Sequence, residues 1–142
     1  MIEQTVGDVM TESVYTVGPE ATACAVAKLF ARRDVGSALV VDQDSGETLG
    51  IVTESDIMRQ VASGADTGAV RVETFLSRSL VSVSSSEEIH TAAALMRERS
   101  LQRLPVVDDG ETVGMLTTSD LTDYLPRLRN TIRRTSQTAR RR

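Results

Sequence analysis

The chain has 142 residues, 40% hydrophobic and 25% charged, which is the make-up of a soluble globular unit with a core of its own and excludes a disordered chain. The single cysteine, Cys24, excludes an internal disulfide, and one histidine, His90, is too few for a Cys/His zinc set, so only a carboxylate metal site stays open. Charge is segregated: positions 1–126 hold all 20 acids and 9 bases, whereas 127–142 hold seven arginines and no acid.

Residues 1–10 carry Glu3 and Asp8 without an apolar run, so they read as neither signal peptide nor spanning helix. The chain is therefore expected to stay in the cytoplasm and off the membrane. Next comes a β-type segment, Val14–Val17, and a helix starting at Pro19–Glu20 with an apolar stripe of Val26, Leu29 and Phe30. A strand ending in Val40-Val41-Asp42, a Gly-containing turn and a second strand follow, then a helix beginning near Ser55. Gly64 and Gly68 mark a linker over 63–72. The same series then recurs: Leu80–Val83 as a β-type segment, a helix start at Ser86-Glu87-Glu88, a stripe of Ala92, Leu95 and Met96, two strands, and a helix beginning near Ser119. Pro126 closes it, and the arginine-rich 126–142 reads as a short helix fraying into a disordered end.

The recurrence is a true repeat. Gly46-Glu47-Thr48-Leu49-Gly50-Ile51-Val52-Thr53-Glu54-Ser55-Asp56-Ile57 returns 64 residues later as Gly110-Glu111-Thr112-Val113-Gly114-Met115-Leu116-Thr117-Thr118-Ser119-Asp120-Leu121. Upstream the offset is 66, because the first turn is two residues longer. Two β-α-β-β-α copies, 7–62 and 73–125, are expected, giving an α/β (α+β) fold. About 60 residues is small for an independent core, so the copies are expected to pack sheet against sheet as one pseudo-twofold module, and modules to form a homodimer through their helices.

The strings Gly-Ile-Val-Thr-Glu-Ser-Asp (50–56), Gly-Met-Leu-Thr-Thr-Ser-Asp (114–120), Arg103-Leu104-Pro105-Val106-Val107-Asp108 and Val9-Met10-Thr11 resemble those of paired cystathionine-β-synthase (CBS) domains, the Bateman module. The resemblance covers residues 7–125. It implies a site for AMP, ADP, ATP, S-adenosylmethionine or NAD as regulatory ligand, although some family members bind none.

A nucleotide site needs an acceptor for ribose hydroxyls and donors for phosphate. In each Thr-x-x-Asp string, Asp56 or Asp120 can take the ribose while Thr53 and Ser55, or Thr117 and Ser119, meet phosphate with the helix N–H groups. The family uses the matching positions in this way. The same string is a capping box, and the two roles are compatible. Arg103 stands where the family often places a phosphate contact and can grip phosphate bidentately; a solvated surface arginine is the alternative. Its counterpart is Ser37. The resemblance implies that Thr53, Ser55 and Asp56 share a site with Val81, Gln102 and Arg103, and Thr117, Ser119 and Asp120 one with Val14, Gly36 and Ser37.

Cys24 and His90 hold equivalent helix positions off the apolar stripe, without the neighbours a nucleophile needs. No catalytic residue and no P-loop is found, so the expected function is a non-enzymatic regulator that senses an adenosyl ligand and signals to an effector protein. Two alternatives stay open: a nucleic-acid-binding regulator acting through 127–142, and a ligand-free dimerisation module. The arginines there suit nucleic acid, an acidic protein, or mere solubilisation.

Overall fold

The structure, a computed structural model, describes residues 4–78 and 81–124. Leu80, Pro126 and the arginine-rich tail over 126–142 lie outside the described residues. In chain order the elements are α1 (Val6–Val9), β1 (Thr16–Val17), α2 (Ala23–Arg33), β2 (Ser37–Val41), β3 (Thr48–Thr53), α3 (Glu54–Ala62), a 3-10 turn (Val72–Thr74), α4 (Ile89–Arg99), β4 (Arg103–Asp108) and β5 (Glu111–Thr117). A last helix, α5, runs from 118 and is described to 124. This is the mixed α and β class expected from the sequence. The described residues form two compact bodies, one of residues 14–78 and one that joins residues 4–13 to 81–124.

Both long helices obey the repeat. Thr22 caps α2 by accepting from the Ala25 N–H at 3.1 Å. The helix therefore begins at Ala23, three residues after the expected Glu20, because Gly18 to Ala21 form a turn closed by Ala21 N–H to Gly18 O. Glu88 precedes α4, as expected. Both helices stop at a left-handed residue, Asp34 (φ 53°) or Ser100 (φ 55°), and carry arginines in the last turn, where a cation meets the negative end of the helix dipole. The buried residues are Ala23, Val26 and Phe30 on α2 and Ile89, Ala92 and Met96 on α4, with Leu29 and Leu95 packed at the margin.

In the first body β1 runs parallel to β2, and β2 antiparallel to β3. In the second, β4 and β5 pair antiparallel, with a bulge at Val106/Val107 that repeats the one at Val40/Val41. The β-type segment expected over Leu80–Val83 contributes a single parallel bridge, Val83 to Val106, among the described residues. The reason lies in one residue. Leu39 donates its N–H to Tyr15 O, and the repeat puts Pro105, which has no N–H, at the place of Leu39.

Each body is closed by the chain segment that precedes the opposite repeat. Val6 of α1 is fully buried in the second core with Ala92, Met96, Leu104, Val106 and Leu116. Its counterpart 66 residues on, Val72 of the 3-10 turn, is fully buried in the first core with Val26, Phe30, Ala38, Val40 and Val52. Burying one such side chain contributes about 1.5–3 kcal/mol. The bridges correspond as well: Thr5 with Glu88 and Thr11 with Met115 in one body, Arg71 with Thr22 and Ser77 with Ile51 in the other. The stretch read as a linker is therefore tied down, with Thr67 O and Val70 O accepting from the Cys24 and Ala23 N–H groups at the start of α2.

The crossing point is a glycine in both bodies. A Cβ on Gly50 would overlap the Ser77 carbonyl oxygen and Leu76 Cδ1; one on Gly114 would lie 2.5 Å from Met10 Sδ and 2.9 Å from Thr11 O. Gly50→Ala and Gly114→Ala should each cost about 3 kcal/mol or more in chemical denaturation, because backbone cannot move aside as a side chain can. Gly68→Ala, whose nearest neighbour is Asp66 Oδ1 at 3.5 Å, should be close to neutral.

Asp108, at the end of β4, accepts from the Ser85 hydroxyl, the Ser85 N–H at 3.0 Å and the Ser84 hydroxyl at 3.2 Å. The Ser85 side-chain bond first, then its N–H, holds this carboxyl below its ordinary value of 3.8. A carboxylate whose folded value is lowered stabilises the fold fully above the unfolded value and loses that contribution as pH falls through the folded one. Ser85→Ala should therefore return the Asp108 titration toward 3.8, read by NMR, and flatten the pH dependence of stability below about pH 4.

Candidate functional site

The two Thr-x-x-Asp strings stand where a strand turns directly into a helix. Thr53 ends β3 and caps α3: its hydroxyl accepts from the Asp56 N–H at 3.3 Å, while Asp56 Oδ2 accepts from the Thr53 N–H at 2.9 Å and the Thr53 hydroxyl at 3.0 Å. Thr117 and Asp120 repeat the arrangement at α5, with Asp120 N–H to Thr117 Oγ1 at 3.1 Å and Thr117 N–H to Asp120 Oδ2 at 2.9 Å. Capping is thus realised at both. It occupies one carboxylate oxygen and turns the other outward.

That second oxygen has a different partner in each copy. Asp56 Oδ1 faces Arg59 Nη1 at 3.3 Å, an ion pair between a 16% exposed carboxylate and a 73% exposed guanidinium one helical turn on. Asp120 Oδ1 accepts from the Thr11 hydroxyl at 2.9 Å. The 64-residue offset puts Asp123 where Arg59 stands, and Thr118 where Glu54 stands. The helix starts are alike in hydrogen bonding and unlike in charge.

The strand mouths sit beside them. Ser37 is paired in register with Thr53, and Gly36 O accepts from the Glu54 N–H at 3.0 Å. Arg103 is paired with Thr117, and Gln102 O accepts from the Thr118 N–H at 3.0 Å. The strand mouth beside each helix start therefore comes from its own repeat, whereas Thr11 reaches Asp120 from the other. Val14 is half-buried just before Tyr15, whose carbonyl fixes β1 to β2, and Val81 is half-buried two residues before the Val83 bridge. Ser55 and Ser119 occupy the first helical turns, Ser55 half-buried and Ser119 exposed.

Arg59 was not picked out from sequence, and Thr11 was noted there only within Val9-Met10-Thr11, not as a partner of Asp120. The offset exposes the contrast of Arg59 with Asp123. Nothing local points to the contact of Thr11 with Asp120, which lies 109 residues away. The remaining candidates stay outside these clusters: His90 is exposed and pairs with Glu88 at 3.0 Å, and Cys24 is half-buried at the start of α2. Among the described residues no group of three or more His, Cys, Asp or Glu is placed to hold a metal ion, and no helix is long and apolar enough to cross a membrane.

Comparison with known proteins agrees with this duplicated geometry. Residues 6–63 and 72–127 each match the CBS domain family. Protein MK0525 of Methanopyrus kandleri is 33% identical over 129 residues, 89% of this chain and 65% of that protein. The CBS domain-containing protein YhcV of Bacillus subtilis is 37% identical over 117 residues, 82% of this chain and 81% of its own length. Two archaeal relatives are longer still, the chain spanning 38% and 44% of them. Among solved structures, the CBS domain pair of protein MJ0100, in complex with 5'-methylthioadenosine and S-adenosyl-L-methionine, shares the fold with a TM-score of 0.79 at 23% identity, covering 88% of this chain and 98% of its own. The chain belongs to the CBS domain family and carries two copies of the domain.

Proposed function

We propose that this CBS domain pair is a cytoplasmic regulatory module that binds adenosyl ligands and passes their occupancy to an effector protein, with no chemical step of its own. The observation that carries the reading is the doubled carboxylate: Asp56 and Asp120 each cap a helix through one oxygen and present the other beside a strand mouth. Two vicinal ribose hydroxyls are donors that such an oxygen pair can accept, and the Thr hydroxyls with the helix dipole favour a phosphate. The bound methylthioadenosine and S-adenosylmethionine of the MJ0100 pair share the adenosyl group. AMP, ADP, ATP, S-adenosylmethionine and NAD share it too, and the ligand is sought among them.

The ribose is assigned to Asp56 and Asp120, phosphate to Thr53, Ser55, Thr117, Ser119 and Arg103, and the lining around the base to Val14, Gly36, Ser37, Val81 and Gln102. Met58 and Val61, 65% and 61% exposed on α3, support self-association through helices. Light scattering should give about twice the 15.4 kDa chain mass, and a monomer at high concentration would remove the homodimer.

A ligand that binds only the folded state must raise its melting temperature, so a thermal-shift panel of the five compounds names the ligand. Calorimetry then tests the residues. A charge-assisted hydrogen bond is worth roughly 1.5–3 kcal/mol, so Arg103→Ala should weaken AMP about 10- to 150-fold at one site and adenosine far less. Asp56→Ala and Asp120→Ala should each weaken both compounds. Equal losses for adenosine and AMP in Arg103→Ala, or none, would remove Arg103 from the site.

A further inference from the structure

We propose that Thr11 is a latch on Asp120: a ribose seated on this carboxylate displaces the Thr11 hydroxyl and loosens the opening segment of the chain, residues 4–13. The inference rests on the assignment of Asp120 as a ribose acceptor and adds how occupancy leaves that site.

Asp120 has two oxygens with separate duties. Oδ2 takes the Thr117 N–H and keeps α5 capped, and Oδ1 takes the Thr11 hydroxyl at 2.9 Å. A ribose that donates from two adjacent hydroxyls needs the outward lone pairs of both oxygens, so it competes with Thr11 and leaves the cap in place. Thr11 lies where the opening segment crosses β5, its backbone exchanging hydrogen bonds with Met115 at 2.9 and 2.8 Å. Further back the segment is held by Val6 N–H to Glu87 O, Gly7 N–H to Ser85 O and the buried Val6 side chain. It also contains Gln4 Oε1, which is buried without a hydrogen-bond partner among the described residues. The Thr11 hydroxyl is the segment's bond to the candidate ligand carboxylate.

The other body lacks this wiring. Ser77 takes the place of Thr11 and makes the same backbone bridge, to Ile51, but its side chain makes no hydrogen bond among the described residues. Asp56 Oδ1 is met instead by Arg59 of its own helix, a contact that can open without moving any other segment. Ligand at Asp120 should thus be felt by residues 4–13, whereas ligand at Asp56 should be felt only by its own helix.

The test uses the full chain carrying Asp56→Ala, adenosine as the probe, calorimetry, and amide hydrogen exchange at Val6, Gly7 and Thr11. Adenosine should speed exchange at these amides. Thr11→Val should tighten adenosine about three- to tenfold, the scale of one modest hydrogen bond, and abolish the ligand effect on exchange. Thr11→Ser should restore both. Adenosine binding that is lost in Asp120→Ala but unchanged in Thr11→Val, or that slows exchange in residues 4–13, overturns the latch and leaves the ribose assignment standing. Adenosine binding that survives Asp120→Ala overturns the ribose assignment and the latch with it.

Discussion

A backbone carbonyl lying directly over a glycine in mid-strand is the constraint on which both bodies depend. At Gly50 and at Gly114 a segment from outside the local repeat crosses the strand so closely that no side chain fits beneath it. The crossing lets Ser77 and Thr11 exchange backbone hydrogen bonds with Ile51 and Met115, and it seats Val72 and Val6 in the cores. Each core is thus completed by residues that precede the other repeat in sequence. A repeat of about 60 residues buries too little surface to stand alone, and this exchange of opening segments supplies the missing apolar residue and satisfies strand groups that would otherwise lack partners.

The same crossings fix where chemistry can occur. The antiparallel strand pair leads straight into a helix through Thr53 or Thr117, so the capping carboxylate is always held at the end of the sheet. Capping positions Asp56 and Asp120 at no cost to their outward oxygens. A group needed for stability is in this way already pointed for recognition, which reconciles the two roles of the Thr-x-x-Asp string. The divergence between copies lies in what surrounds this shared frame. Arg59 and Ser37 accompany Asp56; Asp123 and Arg103 accompany Asp120. Duplication preserved the backbone geometry and left the charges free to differ.

The sequence by itself determined the repeat, its two offsets, the apolar stripes of α2 and α4 and the position of both capping strings. These are local: a 3.6-residue apolar period or a Thr three residues before an Asp declares its geometry wherever it occurs. That the first β-type segment of the second copy makes a single parallel bridge among the described residues was also written in the sequence, as Pro105, although its effect appears only when the missing N–H is placed against its would-be acceptor. Only the tertiary structure decided that Val6 and Val72 belong to the opposite repeats' cores, that the glycine-marked linker is fastened to the start of α2, and that Thr11 reaches Asp120 across 109 residues. Those are contacts between segments far apart in the chain, set by how backbones cross. No periodicity or spacing along a single strand of sequence encodes which distant carbonyl will lie over a glycine.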